Sequence, residues 1–291
     1  MKDHLIRVVS EDGLLRGVVA VTSDLVRTVC TAQQADVTAS VALGRLLTGG
    51  ALLGCLLKGQ QRLALLVEGN GPLGKLRVEA DAAGRVRGSV ANPVTNLPPR
   101  DGRFDVAGAI GKAGFLHVWK DLGLKNPYQS MVQLQSSEIA EDLAWYLSSS
   151  EQVPSSLGLG VELDQQGRVA VAGGFLVQAL PPGDEGQVEQ MIARIKRLPP
   201  TTTMLREGMT PAEIASRLFA SLAFRVQETT ELSFHCPCNR SRIEQMLIGF
   251  GRQELETLAA EQPEVTVTCE YCKQQYSFAG DELAALIVAA G

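Results

Sequence analysis

Four of the six cysteines in this chain stand in two tight pairs near its end. Cys236-Pro237-Cys238 is followed, after a spacer from Asn239 to Thr268, by Cys269-Glu270-Tyr271-Cys272. Thiolates clustered in this way are the ligand set of a tetrahedral metal ion. Zinc takes four sulfurs at about 2.3 Å, and a shell closed by four cysteines is structural rather than catalytic. Tetrahedral geometry then sets the sulfurs about 3.8 Å apart. The second pair has the spacing of a zinc knuckle. The first has one residue between its sulfurs, which an extended backbone accommodates because residues two apart project to the same side. Pro237 restricts its own φ and biases Cys236 away from the helical region.

The same sulfurs are capable of redox chemistry. The thiolate is the reactive form of cysteine, and a bound metal keeps it deprotonated. A disulfide between Cys236 and Cys238 requires their Cα atoms within about 6.8 Å, near the limit for an extended segment. Such a bond is strained and easily reduced again, the profile of a regulatory disulfide. Oxidation would also dismantle the metal site, because a disulfide is a poor zinc ligand. The residues alone support two readings: a zinc ribbon that only holds its domain together, and a peroxide-sensitive latch. His235 adjoins the first pair, but four thiolates already complete a shell. His117 reads as a structural residue of a strand. Cys30 and Cys55 lie in apolar, helical surroundings and read as inert core residues.

The elements that must hold these residues fall into three textures. His4–Val9 and Leu14–Val21 read as strands around the Glu11-Asp12-Gly13 turn. Thr22 to Gln33 reads as a helix with a Thr-Ser-Asp cap, and Asp36 caps a longer, buried helix from Val37 to Leu57. Strands are expected at Arg62–Glu68, Lys75–Ala80, Arg85–Val90, Gly114–Asp121 and Met131–Leu134. A helix capped by Ser137 spans Glu138 to Ser149, and a hairpin joins Ser155–Leu163 to Arg168–Leu180. Gly108 to Gly111 is glycine-rich but lacks the strand–turn–helix setting of a phosphate loop. Pro181-Pro182-Gly183 is the clearest boundary. Beyond it, Gly186 to Arg197 is an amphipathic helix with Val188, Met191, Ile192 and Ile195 on one side. Thr210-Pro211-Ala212-Glu213 is a capping box opening a helix with Ile214, Leu218, Phe219 and Leu222 on its apolar face. The tail is expected to open with a strand from Thr229 to Phe234. Helices follow from Ser241, at a second capping box, and over Gln253–Glu261. Short strands flank the second cysteine pair at Val265–Thr268 and Gln275–Phe278, and a last helix starts near Asp281. The fold class is therefore α+β: a mixed sheet-and-helix core over 1–180, a helical linker over 181–230 and a small zinc-binding domain over 231–291. So short a tail buries little apolar surface and leans on its metal.

Charge and composition narrow the function. A hydrophobic share of 45% with 20% charged residues is that of a soluble globular protein. The formal net charge of −5 is carried by the segment from Glu231 onward, where nine carboxylates face Arg240, Arg242, Arg252 and Lys273. That balance argues against nucleic acid as a partner. Met1 to Arg7 has no apolar signal region, and Val41 to Leu57 is interrupted by Arg45 and glycines, so neither a leader nor a membrane span is expected. A cytoplasmic setting follows, where paired cysteines mean metal or redox function rather than structural bridges.

With these motifs in hand, the chain resembles the redox-regulated 33-kDa heat-shock chaperones of bacteria, the heat shock protein 33 family. The resemblance rests on the two cysteine pairs at their spacing, on Tyr146-Leu147-Ser148-Ser149-Ser150-Glu151-Gln152, and on Asn126-Pro127-Tyr128. It covers essentially the whole chain. Gln129-Ser130 and Ser136-Ser137 stand where the family has glycine. The resemblance implies an ATP-independent holdase and not an enzyme. It implies one Zn2+ on Cys236, Cys238, Cys269 and Cys272 in a reduced, inactive form. It also implies that oxidation forms Cys236–Cys238 and Cys269–Cys272 disulfides, releases zinc, unfolds tail and linker, and yields a dimer that binds unfolding client proteins. Two alternatives are a thiol–disulfide oxidoreductase using Cys269 and Cys272, and a purely structural zinc ribbon. The first expects the pair at a helix start in a βαβ setting.

Overall fold

The most apolar stretch of the chain becomes a helix with no free side. The computed structural model describes residues 1–100, 102–182, 185–220 and 222–290, with the backbone alone at 185–188. Its first two strands, the antiparallel pair β1 (His4–Ser10) and β2 (Leu15–Val21), lead into α1 (Ser23–Gln33) and α2 (Val37–Gly54). α2 is buried along almost its whole length, and Asp36 caps it by accepting from the Ala39 N–H. Its glycines are where sheets press on it. A Cβ at Gly50 would lie 2.5 Å from Val78 Cγ1. α2 is long and apolar enough to cross a membrane by composition, but 89% of its apolar window is buried inside the protein, as befits a core helix.

A six-stranded sheet lies on one side of α2. It is built from β3 (Arg62–Gly69), β4 (Lys75–Asp81) and β5 (Arg85–Val90), then, after the short α3 (Val106–Ile110), β6 (Gly114–Asp121) and β7 (Tyr128–Gln133). α4 (Ala140–Ser149) follows. A five-stranded sheet combines β1 and β2 with β8 (Ser155–Leu163) and β9 (Val169–Ala179). Strands of this sheet are apolar on both faces. Leu5, Val18 and Leu176 face the core around α2. Ile6, Val8, Val19 and Val177 face outward, where α5 (Glu185–Ile195), α6 (Thr201–Arg206) and α7 (Pro211–Phe219) cover them. Met191, Met204, Ile214, Leu218 and Phe219 supply the helical side of that layer. The expected apolar faces of these helices thus have a partner; Val188 and Gly183 lie outside the described side chains.

The chain then returns to both sheets before leaving them. β10 (Phe224–Glu231) pairs antiparallel with β1, and the two-residue β11 (Ser233–Phe234) pairs parallel with β5. The strand expected to open the tail is therefore divided between the two sheets of the preceding part. Two compact units result, Met1–His235 and Cys236–Gly291. The second contains α8 (Arg240–Ile248), α9 (Arg252–Glu261), the hairpin β12 (Glu264–Thr268) and β13 (Gln275–Ala279), and α10 (Gly280–Ala289) around a small core of its own.

Most corrections concern caps. Thr22 makes no side-chain cap; Asp3, distant in sequence, accepts from the Leu25 N–H at 2.7 Å instead. Ser137 does not cap α4. It sits at φ +62°, the left-handed region that favours glycine, and its hydroxyl donates to the Gly111 carbonyl at 2.6 Å. α2 ends at Gly54 rather than Leu57, and β7 starts at Tyr128 rather than Met131. In the second unit Asn239, not Ser241, caps α8 by accepting from the Arg242 N–H at 3.0 Å. An asparagine two residues earlier in extended backbone outcompetes the Ser241 box.

Candidate metal centre

Cys236-Pro237-Cys238 forms the extended entry to α8, fixed at its far end by the Asn239 cap. The second pair occupies the turn of the β12–β13 hairpin. There the Cys269 N–H donates to the Gln274 carbonyl, the Lys273 N–H donates to the Cys269 carbonyl, and Lys273 takes φ +59°. This reversal brings Cys269 and Cys272 round to one side. Arg240 ties the first pair's helix to the second pair's hairpin: it donates to the Ser277 carbonyl at 3.0 Å, pairs with Glu282 and lies 4.4 Å from the centroid of the Phe278 ring.

The result is one cluster. All four Sγ atoms lie within 4.8 Å of one another, with Cys236 and Cys269 at 3.7 Å and Cys238 and Cys272 at 3.2 Å. The first of these separations is close to the roughly 3.8 Å edge of a tetrahedral thiolate shell, and the second is somewhat shorter. Among the described residues no other group could hold a metal ion, and His235 is not part of this one. Cys269 is buried and the other three are half-buried.

The electrostatics fit a cation. Burial pushes the Cys269 thiol up, but N–H donors from Cys272 and Tyr271 and the neighbouring sulfurs outweigh it and bring the group down to about 7. Cys272 is pushed up to about 12, first by desolvation and then by its sulfur neighbours. Four sulfurs this close cannot all be thiolates unless a positive charge sits among them. The four cysteines can therefore hold a metal ion, as their spacing predicts.

The remaining candidates separate cleanly. Cys30 and Cys55 are buried in the first unit, and desolvation raises each to about 12. They are poor nucleophiles and poor ligands. His117 stacks on Trp119 at 5.5 Å on the outer side of β6, as a structural residue does. Gly108–Gly111 belongs to the end of α3 and its following turn, capped by Asp105. Cys269 and Cys272 sit in a hairpin turn, not at a helix start. One residue that the spacing did not single out is Tyr276, whose hydroxyl donates to Cys238 Sγ at 3.3 Å. Its signal was a tyrosine at a core-facing position of β13, where phenylalanine would serve burial as well.

Comparison with known proteins agrees with this geometry over the whole chain. The family described as Hsp33 protein matches residues 3–279. The 33 kDa chaperonin of Syntrophotalea carbinolica is 56% identical, covering 99% of this chain and 100% of that protein. The 33 kDa chaperonin of Geobacter sulfurreducens is 51% identical over 97% of this chain and 93% of that one. The crystal structure of the 33 kDa chaperonin from Thermotoga maritima superposes with a TM-score of 0.92 at 36% identity, covering 99% of both chains.

Proposed function

The chain belongs to the Hsp33 family, and from that premise we propose that it is an ATP-independent holdase switched on by oxidation of its four-cysteine centre. The observation that carries the reading is the single cluster of four sulfurs within 4.8 Å, in a unit with only a small core besides. Zn2+ is the proposed ion, because an all-sulfur tetrahedral shell suits it. When bound it supplies charge neutralisation for four thiolates and a cross-link across the unit. Cys236 and Cys238 hold it from the entry to α8, Cys269 and Cys272 from the hairpin turn.

Oxidation removes that cross-link. One hydrogen peroxide takes two electrons from each pair of thiols, giving one disulfide and two waters. The proposed bonds are Cys236–Cys238 and Cys269–Cys272. In the folded centre close sulfur contacts also join different pairs, Cys236 with Cys269 and Cys238 with Cys272. Once the unit loosens, the short tether within each pair holds its partner at the higher effective concentration. Release of α5–α7, proposed to accompany that unfolding, exposes the outward apolar face of the five-stranded sheet around Ile6, Val8, Val19 and Val177. That face is the proposed docking surface for unfolding clients and the reason the oxidised form becomes a dimer. The switch needs a compartment that keeps thiols reduced at rest, so a cytoplasmic location is part of the proposal. A non-enzymatic role fits a cysteine pair at a hairpin turn, and the acidic balance of the tail disfavours nucleic acid.

The test is light scattering of a heat-unfolded client. Reduced, zinc-loaded protein should leave its aggregation unchanged, while protein treated with peroxide at mildly raised temperature should suppress it, with zinc released and both disulfides found by peptide mapping. Zinc loss without suppression in either sample would leave a structural zinc domain and end the chaperone reading.

A further inference from the structure

The four sulfurs are not supported alike. Cys269 accepts from the backbone N–H groups of Cys272 and Tyr271, and Cys272 accepts from that of Gln274. Those donors come with the turn itself, and no substitution other than proline removes them. Cys238 accepts from a side chain, the Tyr276 hydroxyl at 3.3 Å. Tyr276 lies on β13 opposite Val267 of β12, and its side chain is buried in the unit's core beside Phe278. The ring is held by packing, so the hydroxyl is aimed. A phenolic hydroxyl turned inward needs an acceptor, and the one it meets is a sulfur of the metal centre.

We propose that Tyr276 is a positioning residue that restrains Cys238, setting how fast this sulfur reacts with electrophiles and oxidants. The proposal rests on the reading of the cluster as a metal–thiolate centre. In such a centre the sulfur is already deprotonated, so its reactivity follows nucleophilicity alone. A donated hydrogen bond draws electron density from the sulfur lone pair. Thiolate nucleophilicity falls with basicity along a shallow Brønsted slope, so one neutral hydrogen bond is worth about two- to threefold in rate. Tyr276 thereby places the reactivity of Cys238 under a side chain's control, whereas Cys269 and Cys272 also accept from backbone N–H groups.

The experiment uses the full-length reduced protein loaded with zinc and measures alkylation by excess iodoacetamide, mapped to each cysteine by mass spectrometry. The sulfur attacks the methylene carbon; the S–C bond forms as the C–I bond breaks and iodide leaves. Tyr276→Phe keeps the ring and removes the donor. It should hold one zinc, alkylate Cys238 about two- to threefold faster and leave Cys272 unchanged. In the Co2+-substituted protein its sulfur-to-metal charge-transfer band should move to lower energy. Val267→Ala loosens the same wall without touching the hydroxyl and should speed all four sulfurs together. An unchanged Cys238 rate in zinc-loaded Tyr276→Phe overturns the proposal, as does a uniform rise like that of Val267→Ala. Wild-type protein that takes up neither zinc nor cobalt would instead overturn the metal-centre reading beneath it.

Discussion

Two carboxylates at helix starts show how much of a residue's behaviour lies in its neighbours. Asp36 caps α2 from the adjacent position and also collects the Thr95 N–H, the Thr95 hydroxyl and the Asn96 N–H. Burial works to raise its carboxyl, but these bonds outweigh it and hold it below the usual range. Its folded value is depressed, so its stabilisation is complete above the unfolded value near 3.9 and is lost as pH falls through the folded one. Asp36→Ala should therefore cost about 1–2 kcal/mol at neutral pH. Thermal unfolding should show that deficit narrowing below about pH 4; an equal deficit at both pH values would mean that the carboxylate is not the group at work. Asp3 behaves in the opposite sense. Burial dominates and raises its carboxyl, one oxygen accepts from the Leu25 N–H, and the other has no partner among the described residues. The Asp36 cap was legible because it precedes its own helix. The Asp3 cap was not, because β1 and α1 meet only after β2 has turned the chain back. The candidate metal ligands were legible for a third reason: cysteine pairs at fixed spacing name the chemistry they can do, whereas the hydroxyl that touches one of them does not.

At the scale of elements, α7 and β2 fit closely in the outward layer. A Cβ at Gly17 would lie 2.7 Å from the Phe219 ring and 2.9 Å from Val8 Cγ2. Gly17→Ala should push α7 off the sheet at a cost of about 1–3 kcal/mol. In the reduced, metal-loaded protein this should raise binding of an apolar dye and lower the temperature at which the dye binds. An unchanged dye profile would mean that α7 does not guard the apolar face. The helices themselves could be read from sequence, since the Thr210–Glu213 box is reciprocal in the structure as expected: the Glu213 N–H donates to the Thr210 hydroxyl and the Glu213 carboxylate accepts from the Thr210 N–H. What they cover could not. Both faces of β1, β2 and β9 are apolar, so their pattern gives no inner and outer side. Most of β10 was missed as well, with only Thr229–Glu231 falling in an expected strand. Its Arg-Val-Gln-Glu-Thr-Thr run is exposed, and its partner β1 lies at the opposite end of the chain.

For the molecule as a whole, two units of unequal self-sufficiency are joined in one chain. The first has a continuous core around α2; the second has a small one and the four-cysteine cluster. A structural zinc contributes about 10–16 kcal/mol of apparent binding free energy, as much as a typical domain's entire stability. Extracting the metal with a chelator under mild oxidation should open the second unit and the α5–α7 segment to protease while a resistant fragment of the core around α2 survives. Digestion throughout the chain at the same rate would show that the first unit depends on the metal too. The crowding around α2 also sets the terms on which this sequence can drift. Val78 fills the space where a side chain at position 50 would stand, so neither site is free to change alone. A larger residue on the helix would have to be answered by a smaller one on the strand, a constraint on volume rather than on chemistry.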